Sequence, residues 1–127
     1  MIKSIINAKV FRISLFGFLG AISRLLSFFI LSELIFCQSY YLTLLINITG
    51  CLGYGFFVHF HKINNIFRKD FLNGFFGAYT TFAMFELDFY FLFTQHTFIF
   101  GLGFLLIYSL ASIFFYQIGT YLGKKIK

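Results

Sequence analysis

Charge is what this sequence has least of. Only 11% of its 127 residues are Asp, Glu, Lys or Arg, whereas a soluble domain keeps about a quarter of its residues charged because its surface faces water. With 60% hydrophobic residues and a mean hydropathy of +0.89, the chain cannot cover such a surface, and its natural solvent is lipid. Cysteine is nearly as scarce. Cys37 falls near a helix end and Cys51 within an apolar run, so neither a disulfide nor a metal site is expected. His59 and His61 end one apolar run and His96 lies at the opposite side, which leaves no metal cluster. No phosphate-binding loop and no nucleophile–base arrangement is present, which excludes the common enzyme classes. Trp and Pro are absent and Phe occurs 23 times. So much Phe reads either as an aromatic pore or as a compositional bias towards Phe, Ile, Asn, Lys and Tyr, so only Phe at special positions is singled out.

What is present is long apolar runs. A helix needs about 20 apolar residues to cross a bilayer core of about 30 Å. Four runs qualify: Ile13 to Phe36, Tyr40 to Phe60, Phe71 to Phe93 and Phe98 to Leu122. The first is too long for a cleaved signal peptide, holds Arg24 and lacks an Ala-x-Ala exit. Lys62 to Asp70 reads as the one clearly polar loop, leaving a single transmembrane domain over residues 1–127. An all-α membrane protein follows, because unpaired backbone groups in lipid cost several kcal/mol each.

The net charge of +6 does not point to nucleic acid, which needs a solvated basic face. Lys3, Lys9 and Arg12 precede the first run, Lys62, Arg68 and Lys69 separate the second and third, and Lys124, Lys125 and Lys127 end the chain. The loops around Glu33 to Ser39 and Thr94 to Thr97 carry no Lys or Arg. Cytoplasmic loops of membrane proteins are rich in Lys and Arg, which predicts both termini in the cytoplasm.

Polar residues inside the spans are costly and so face protein or water. Arg24 reads as an anion-attracting vestibule or as a side chain snorkelling to the interface. Thr43 and Asn47 share a helix face. The Asn47 amide offers two N–H donors to an anion, or else bonds a neighbouring helix. Gly50, Gly53 and Gly55 suit close helix packing. In the third run Gly74 and Gly77 precede Thr80, Thr81, Phe82 and Phe85. Gly beside two β-branched threonines is a poor recipe for an unbroken helix, and a break there would expose carbonyls able to bind a cation. Phe82 and Phe85 share a face, and a ring edge turned to a pore favours a small anion. Tyr108, Ser112 and Tyr116 form one polar stripe on the last run.

Three stretches carry a resemblance: Gly20-Ala21-Ile22-Ser23-Arg24, Leu42-Thr43-Leu44-Leu45-Ile46-Asn47-Ile48-Thr49-Gly50, and Gly74-Phe75-Phe76-Gly77-Ala78-Tyr79-Thr80-Thr81-Phe82. In order, spacing and length the chain resembles the CrcB/Fluc family of small fluoride channels of the bacterial inner membrane. The resemblance implies about four transmembrane helices with the third broken near its middle, in an antiparallel dimer with two pores. It implies passive export of fluoride, with Arg24 in the vestibule and Thr43, Asn47, Phe82 and Phe85 on the fluoride pathway, continued by Tyr108 and Ser112. It also implies a structural sodium ion, not transported, on the backbone carbonyls of Gly77 and Thr80. Ala83, Met84 and Glu86 depart from the hydroxyl-rich family pattern after Phe82, and Asp88 stands where the family often has Glu. The one-sided cations conflict with antiparallel assembly from one chain. They leave open a heterodimer with an oppositely oriented homologue, while Glu86 and Asp88 leave open proton-coupled fluoride transport.

Overall fold

The computed structural model describes residues 2–35, 38–60 and 64–126. Cys37, His61, Lys62 and Lys127, weighed above, lie outside them. The described residues are helical almost throughout: α1 (Ile2–Leu34), α2 (Ser39–Val58), α3 (Asn65–Phe71), a π-helical turn (Leu72–Phe76), α4 (Gly77–Tyr79), α5 (Phe82–Gln95) and α6 (Phe98–Lys125). Three stretches, Ile6–Leu34, Ser39–Val58 and Phe98–Lys125, are each long and apolar enough to cross a membrane. The remaining crossing is divided. α3, the π-turn and α4 run on continuously to Tyr79, the backbone becomes extended at Thr80 (ψ 126°) and Thr81 (ψ 131°), and α5 restarts at Phe82. The chain has no proline, so this break arises from the threonine pair and from what the surrounding helices offer its backbone.

Two boundaries differ from the sequence reading. α1 begins at Ile2 rather than near Ile13, because Lys3, Asn7, Lys9 and Arg12 are compatible with a helix that continues past the bilayer. The segment read as a polar loop to Asp70 is helical from Asn65, where the Asn64 side chain accepts the Ile66 N–H at 2.9 Å and caps the helix. Asp70 is buried (2% exposed) and its Oδ2 accepts from Arg12 Nε at 2.7 Å. A pair 58 positions apart cannot be read from local pattern.

Packing in lipid relies on close contact rather than on water exclusion. α6 carries Gly119 and Gly123 one turn apart. A Cβ on Gly119 would collide with the Leu52 carbonyl of α2, one on Gly123 with the Phe56 carbonyl, and one on Gly55 with the Tyr116 carbonyl of α6. α1 meets the π-turn in the same way, with Gly20 against the Phe75 carbonyl and Gly74 against the Ile13 carbonyl. These contacts bring the start of α1, the end of α2, α3 and the end of α6 to one end of the bundle. Lys9, Arg12, Arg68, Lys69, Lys124 and Lys125 therefore gather there, and Arg68 Nη1 donates to the Phe60 carbonyl at 3.0 Å.

Candidate functional site at the helix break

The break leaves backbone groups without helical partners, and side chains from α1 and α2 take several of them. Asn47 of α2 (4% exposed) faces the gap. Its Oδ1 accepts the Thr81 N–H at 3.2 Å, and its Nδ2 lies 3.5 Å from the Thr81 carbonyl. Nδ2 also donates to the Tyr108 hydroxyl of α6. Arg24 of α1 donates through Nη1 to the Tyr79 carbonyl at 2.9 Å and reaches Asn47 Oδ1 at 3.5 Å. The guanidinium thus sits at the C-terminal end of α4, where free carbonyls favour a cation. Thr80 returns both its N–H (3.0 Å) and its hydroxyl (2.7 Å) to the Phe76 carbonyl.

Around this junction lies a cavity of about 400 Å³ lined by Asn47, Cys51, Thr80, Thr81, Phe82, Phe85, Tyr108, Ser109 and Ser112. Six of the candidate site residues named from the sequence, Asn47, Thr80, Phe82, Phe85, Tyr108 and Ser112, are among them. The two rings differ in setting. Phe85 is buried (8% exposed), 4.3 Å from the Tyr108 ring centroid, whereas Phe82 is 69% exposed and 5.6 Å from Phe85. Amide, hydroxyl and ring groups dominate the lining, and no Lys or Arg among the described residues is part of it. Such a lining can donate to an anion without a fixed charge that would hold it.

Other expected residues lie apart. Thr43 is fully buried, not on the cavity wall, and its hydroxyl donates to the Ser39 carbonyl at 3.3 Å. Asp88, also buried (4% exposed), lies beside Thr43, and its Oδ2 has no hydrogen-bond partner among the described residues. Glu86 is exposed and absent from the lining. Tyr116 belongs to a second cavity, of about 350 Å³, with Gly50, Tyr54 and Phe76. The polar stripe on α6 is therefore shared between two spaces.

Gly77 and Thr80 fit a hard cation in chemical type. Both offer carbonyl oxygens at an interrupted turn, the kind of donor that unwound transmembrane segments supply to sodium. Thr81 N–H, which would close a helical turn onto the Gly77 carbonyl, goes to Asn47 instead. Gly77 is exposed, and a Cβ built there meets no atom within 4 Å.

One residue that the sequence reading passed over is Tyr79. Beyond its carbonyl bond to Arg24, its hydroxyl lies 3.3 Å from both Ser27 Oγ and Thr49 Oγ1, and its ring stacks on Phe75. The signal available was a single tyrosine beside the threonine pair, which nothing local distinguishes from other apolar-span tyrosines.

Comparison with known proteins agrees with this architecture. Residues 11–124 match the family model described as CrcB-like protein, Camphor Resistance (CrcB). A protein of Synechococcus sp. named fluoride-specific ion channel FluC is 39% identical over 114 residues, covering 83% of this chain and 84% of that one. Proteins of the same name from Trichormus variabilis and Nitratiruptor sp. are 45% identical over 80 residues and 36% over 81, covering 55% and 62% of this chain and 58% and 63% of theirs. No solved structure matches the chain. With the family model spanning nearly its whole length and the Asn47, Thr80-Thr81-Phe82 and Phe85 positions meeting at one broken helix, this chain belongs to the CrcB-like family of membrane proteins.

Proposed function

We propose that this chain is a subunit of a fluoride-specific ion channel that lets fluoride leave the cytoplasm passively. The observation that carries the proposal is the cavity at the helix break, where Asn47, Tyr108, Ser112 and the Phe82 and Phe85 rings converge. Fluoride is small and strongly hydrated, so its water has to be replaced by donors, and release has to stay easy for conduction. Amide, hydroxyl and ring-edge hydrogens meet both needs. Arg24, held beside Asn47, supplies positive potential near the cavity. A negative-inside potential favours anion exit by about 2.3 kcal/mol per charge per 100 mV, so no energy source is required. The test is fluoride efflux from liposomes that contain only this chain, with no pH gradient. Rapid efflux supports a channel, and efflux seen only with a proton gradient would replace it by coupled transport.

The rings offer a finer test. Phe82→Ile and Phe85→Ile remove the positive ring edge while keeping much of the bulk, and each is expected to lower fluoride efflux at least tenfold-scale, about what one charge-assisted contact is worth. Phe82 is exposed in the single chain, so Phe82→Ile should cost the packing of that chain at most about 0.5 kcal/mol. Phe85→Ile should also lose about 1 kcal/mol of ring packing against Tyr108. Normal efflux in both variants would make the rings packing elements.

In this reading two copies pair with opposite orientation. Phe82 and Gly77, both exposed in the single chain, then face the other copy, and the Gly77 and Thr80 carbonyls of both copies hold a structural sodium ion that supplies fixed positive charge at the dimer centre. Sodium should raise the melting temperature of the purified dimer above its value in potassium, by mass action on the folded state. Equal melting in the two salts counts against the site. A heterodimeric channel is the second reading, favoured by the cations gathered at one end of the bundle. That charge bias favours one orientation, so a partner of opposite bias would complete the pair, and liposomes holding this chain alone would then show no efflux.

A further inference from the structure

The cationic end of the bundle holds a third cavity, of about 230 Å³, lined by Lys9 of α1, Ile66, Lys69 and Asp70 of α3, and Asn73 of the π-turn. Its one acidic group is already engaged. Asp70 is 2% exposed and paired with Arg12 at 2.7 Å. Arg68, the other cation of α3, turns away to the Phe60 carbonyl and Asn65 Oδ1. Lys9 and Lys69 are both exposed and neither is in an ion pair among the described residues. The cavity therefore keeps two uncompensated ammonium groups and the Asn73 amide. Its rim is apolar: Ile66 is 64% exposed, and Phe67 beside it and Val10 and Phe11 next to Lys9 are 46%, 56% and 69% exposed. Cations over a small polar hollow, flanked by exposed aliphatic and aromatic side chains at the end of a membrane bundle, match a molecule with a charged head and an apolar body. Basic pockets between transmembrane helices bind acidic lipid head groups in this way.

We propose that this cavity is a binding site for the phosphate of an anionic glycerophospholipid, gripped by Lys9, Lys69 and Asn73, with the acyl chains against Ile66 and Phe67. Bound there, the lipid bridges α1 to α3 and the π-turn, the segment that leads directly into the broken helix. The site rests on the membrane setting alone and stands whether or not the chain conducts fluoride.

The experiment uses the full purified chain in neutral detergent, with melting followed as lipid is added. Phosphatidylglycerol should raise the melting temperature at concentrations where phosphatidylcholine and free inorganic phosphate do not. A charge-assisted hydrogen bond to the phosphate is worth about tenfold or more, so Lys9→Gln with Lys69→Gln should weaken the phosphatidylglycerol response by about a hundredfold in concentration. Lys124→Gln with Lys125→Gln makes the same change in net charge at the same end but outside the cavity, and should leave the response within about twofold. Should the first pair fail to fold, Asn73→Leu removes a cavity donor without altering charge and should still lower the response. Equal stabilisation by phosphatidylcholine would overturn the proposal, as would equal losses in the two lysine pairs, which would show diffuse surface attraction only. Stabilisation reproduced in full by inorganic phosphate would replace the lipid site by a simple anion site.

Discussion

Asn47→Ala is expected to reduce fluoride efflux to background and to loosen the helix break at the same time. The amide has two tasks that the structure superimposes. Oδ1 accepts the Thr81 N–H and Nδ2 points to the Thr81 carbonyl and the Tyr108 hydroxyl, so the side chain stands in for the helical partners that the break removes. Leaving buried backbone groups unpaired costs about 1–3 kcal/mol each. Loss of a donor to an ion costs about 1.5–3 kcal/mol, or about tenfold to a hundredfold in occupancy. Asn47→Asp separates the two tasks. The carboxylate keeps the acceptor for Thr81 N–H and for Arg24 but has no donor, and its charge repels an anion. That variant keeps the Thr81 N–H and Arg24 bonds but loses the donor to the Thr81 carbonyl, so it should melt between the alanine variant and the parent and still fail to conduct. If Asn47→Asp conducts normally, Asn47 is a backbone clamp and the fluoride path lies elsewhere. Efflux through the two variants and their melting curves together decide the matter.

The outline of this molecule was legible because membrane solubility imposes run lengths. Four apolar runs marked the crossings, and the Gly77 to Thr81 segment marked the break, since glycine beside paired β-branched residues is a weak helix former. The ends were less legible. Lys3 to Arg12 reads as a polar lead, yet it is helix, because nothing in those residues stops one. The Lys62 to Asp70 stretch concealed a capped helix whose Asp70 is buried against Arg12 of α1. Long-range pairing of this kind leaves no periodic trace. The site shows the same division. Motif spacing named Asn47, Phe82, Phe85, Tyr108 and Ser112, which line one cavity, but could not show that the Asn47 amide also pairs with the Thr81 backbone and the Tyr108 hydroxyl. Nor could it show that Arg24 is anchored to the Tyr79 carbonyl, because a backbone oxygen freed by a break has no identity in sequence. Thr43 sits one turn from Asn47 on the same helix face, yet it packs towards Asp88 rather than into the cavity. Sharing a face fixes direction, not what the neighbouring helix places there.

Gly119→Val is expected to prevent the bundle from closing. A Cβ at this position alone would overlap the Leu52 carbonyl and crowd the Phe56 nitrogen of α2, and valine adds two methyl groups to it. The obstacle is backbone, which has no rotamer to yield. Gly55 and Gly123 lock the same two helices on either side, against the Tyr116 and Phe56 carbonyls, so separation at Gly119 forfeits those contacts as well. Overpacking a tight site costs about 1–3 kcal/mol, and in lipid no hydrophobic force draws the helices back together. A loss of about 3 kcal/mol or more is therefore expected, read as a lowered melting temperature in detergent and as aggregated material on gel filtration. The effect extends to function. Tyr108 and Ser112 lie on α6 about three and two turns before Gly119, respectively, and a helix pushed away from α2 carries Tyr108 off Asn47. Chains of the variant that do fold should conduct poorly. Gly103→Val is the matched control on the same helix, because a Cβ built there meets nothing within 4 Å. It should melt and conduct like the parent. Equal tolerance of valine at positions 119 and 103 would show that α2 and α6 are not held in backbone contact, and that Tyr108 reaches Asn47 by some other support.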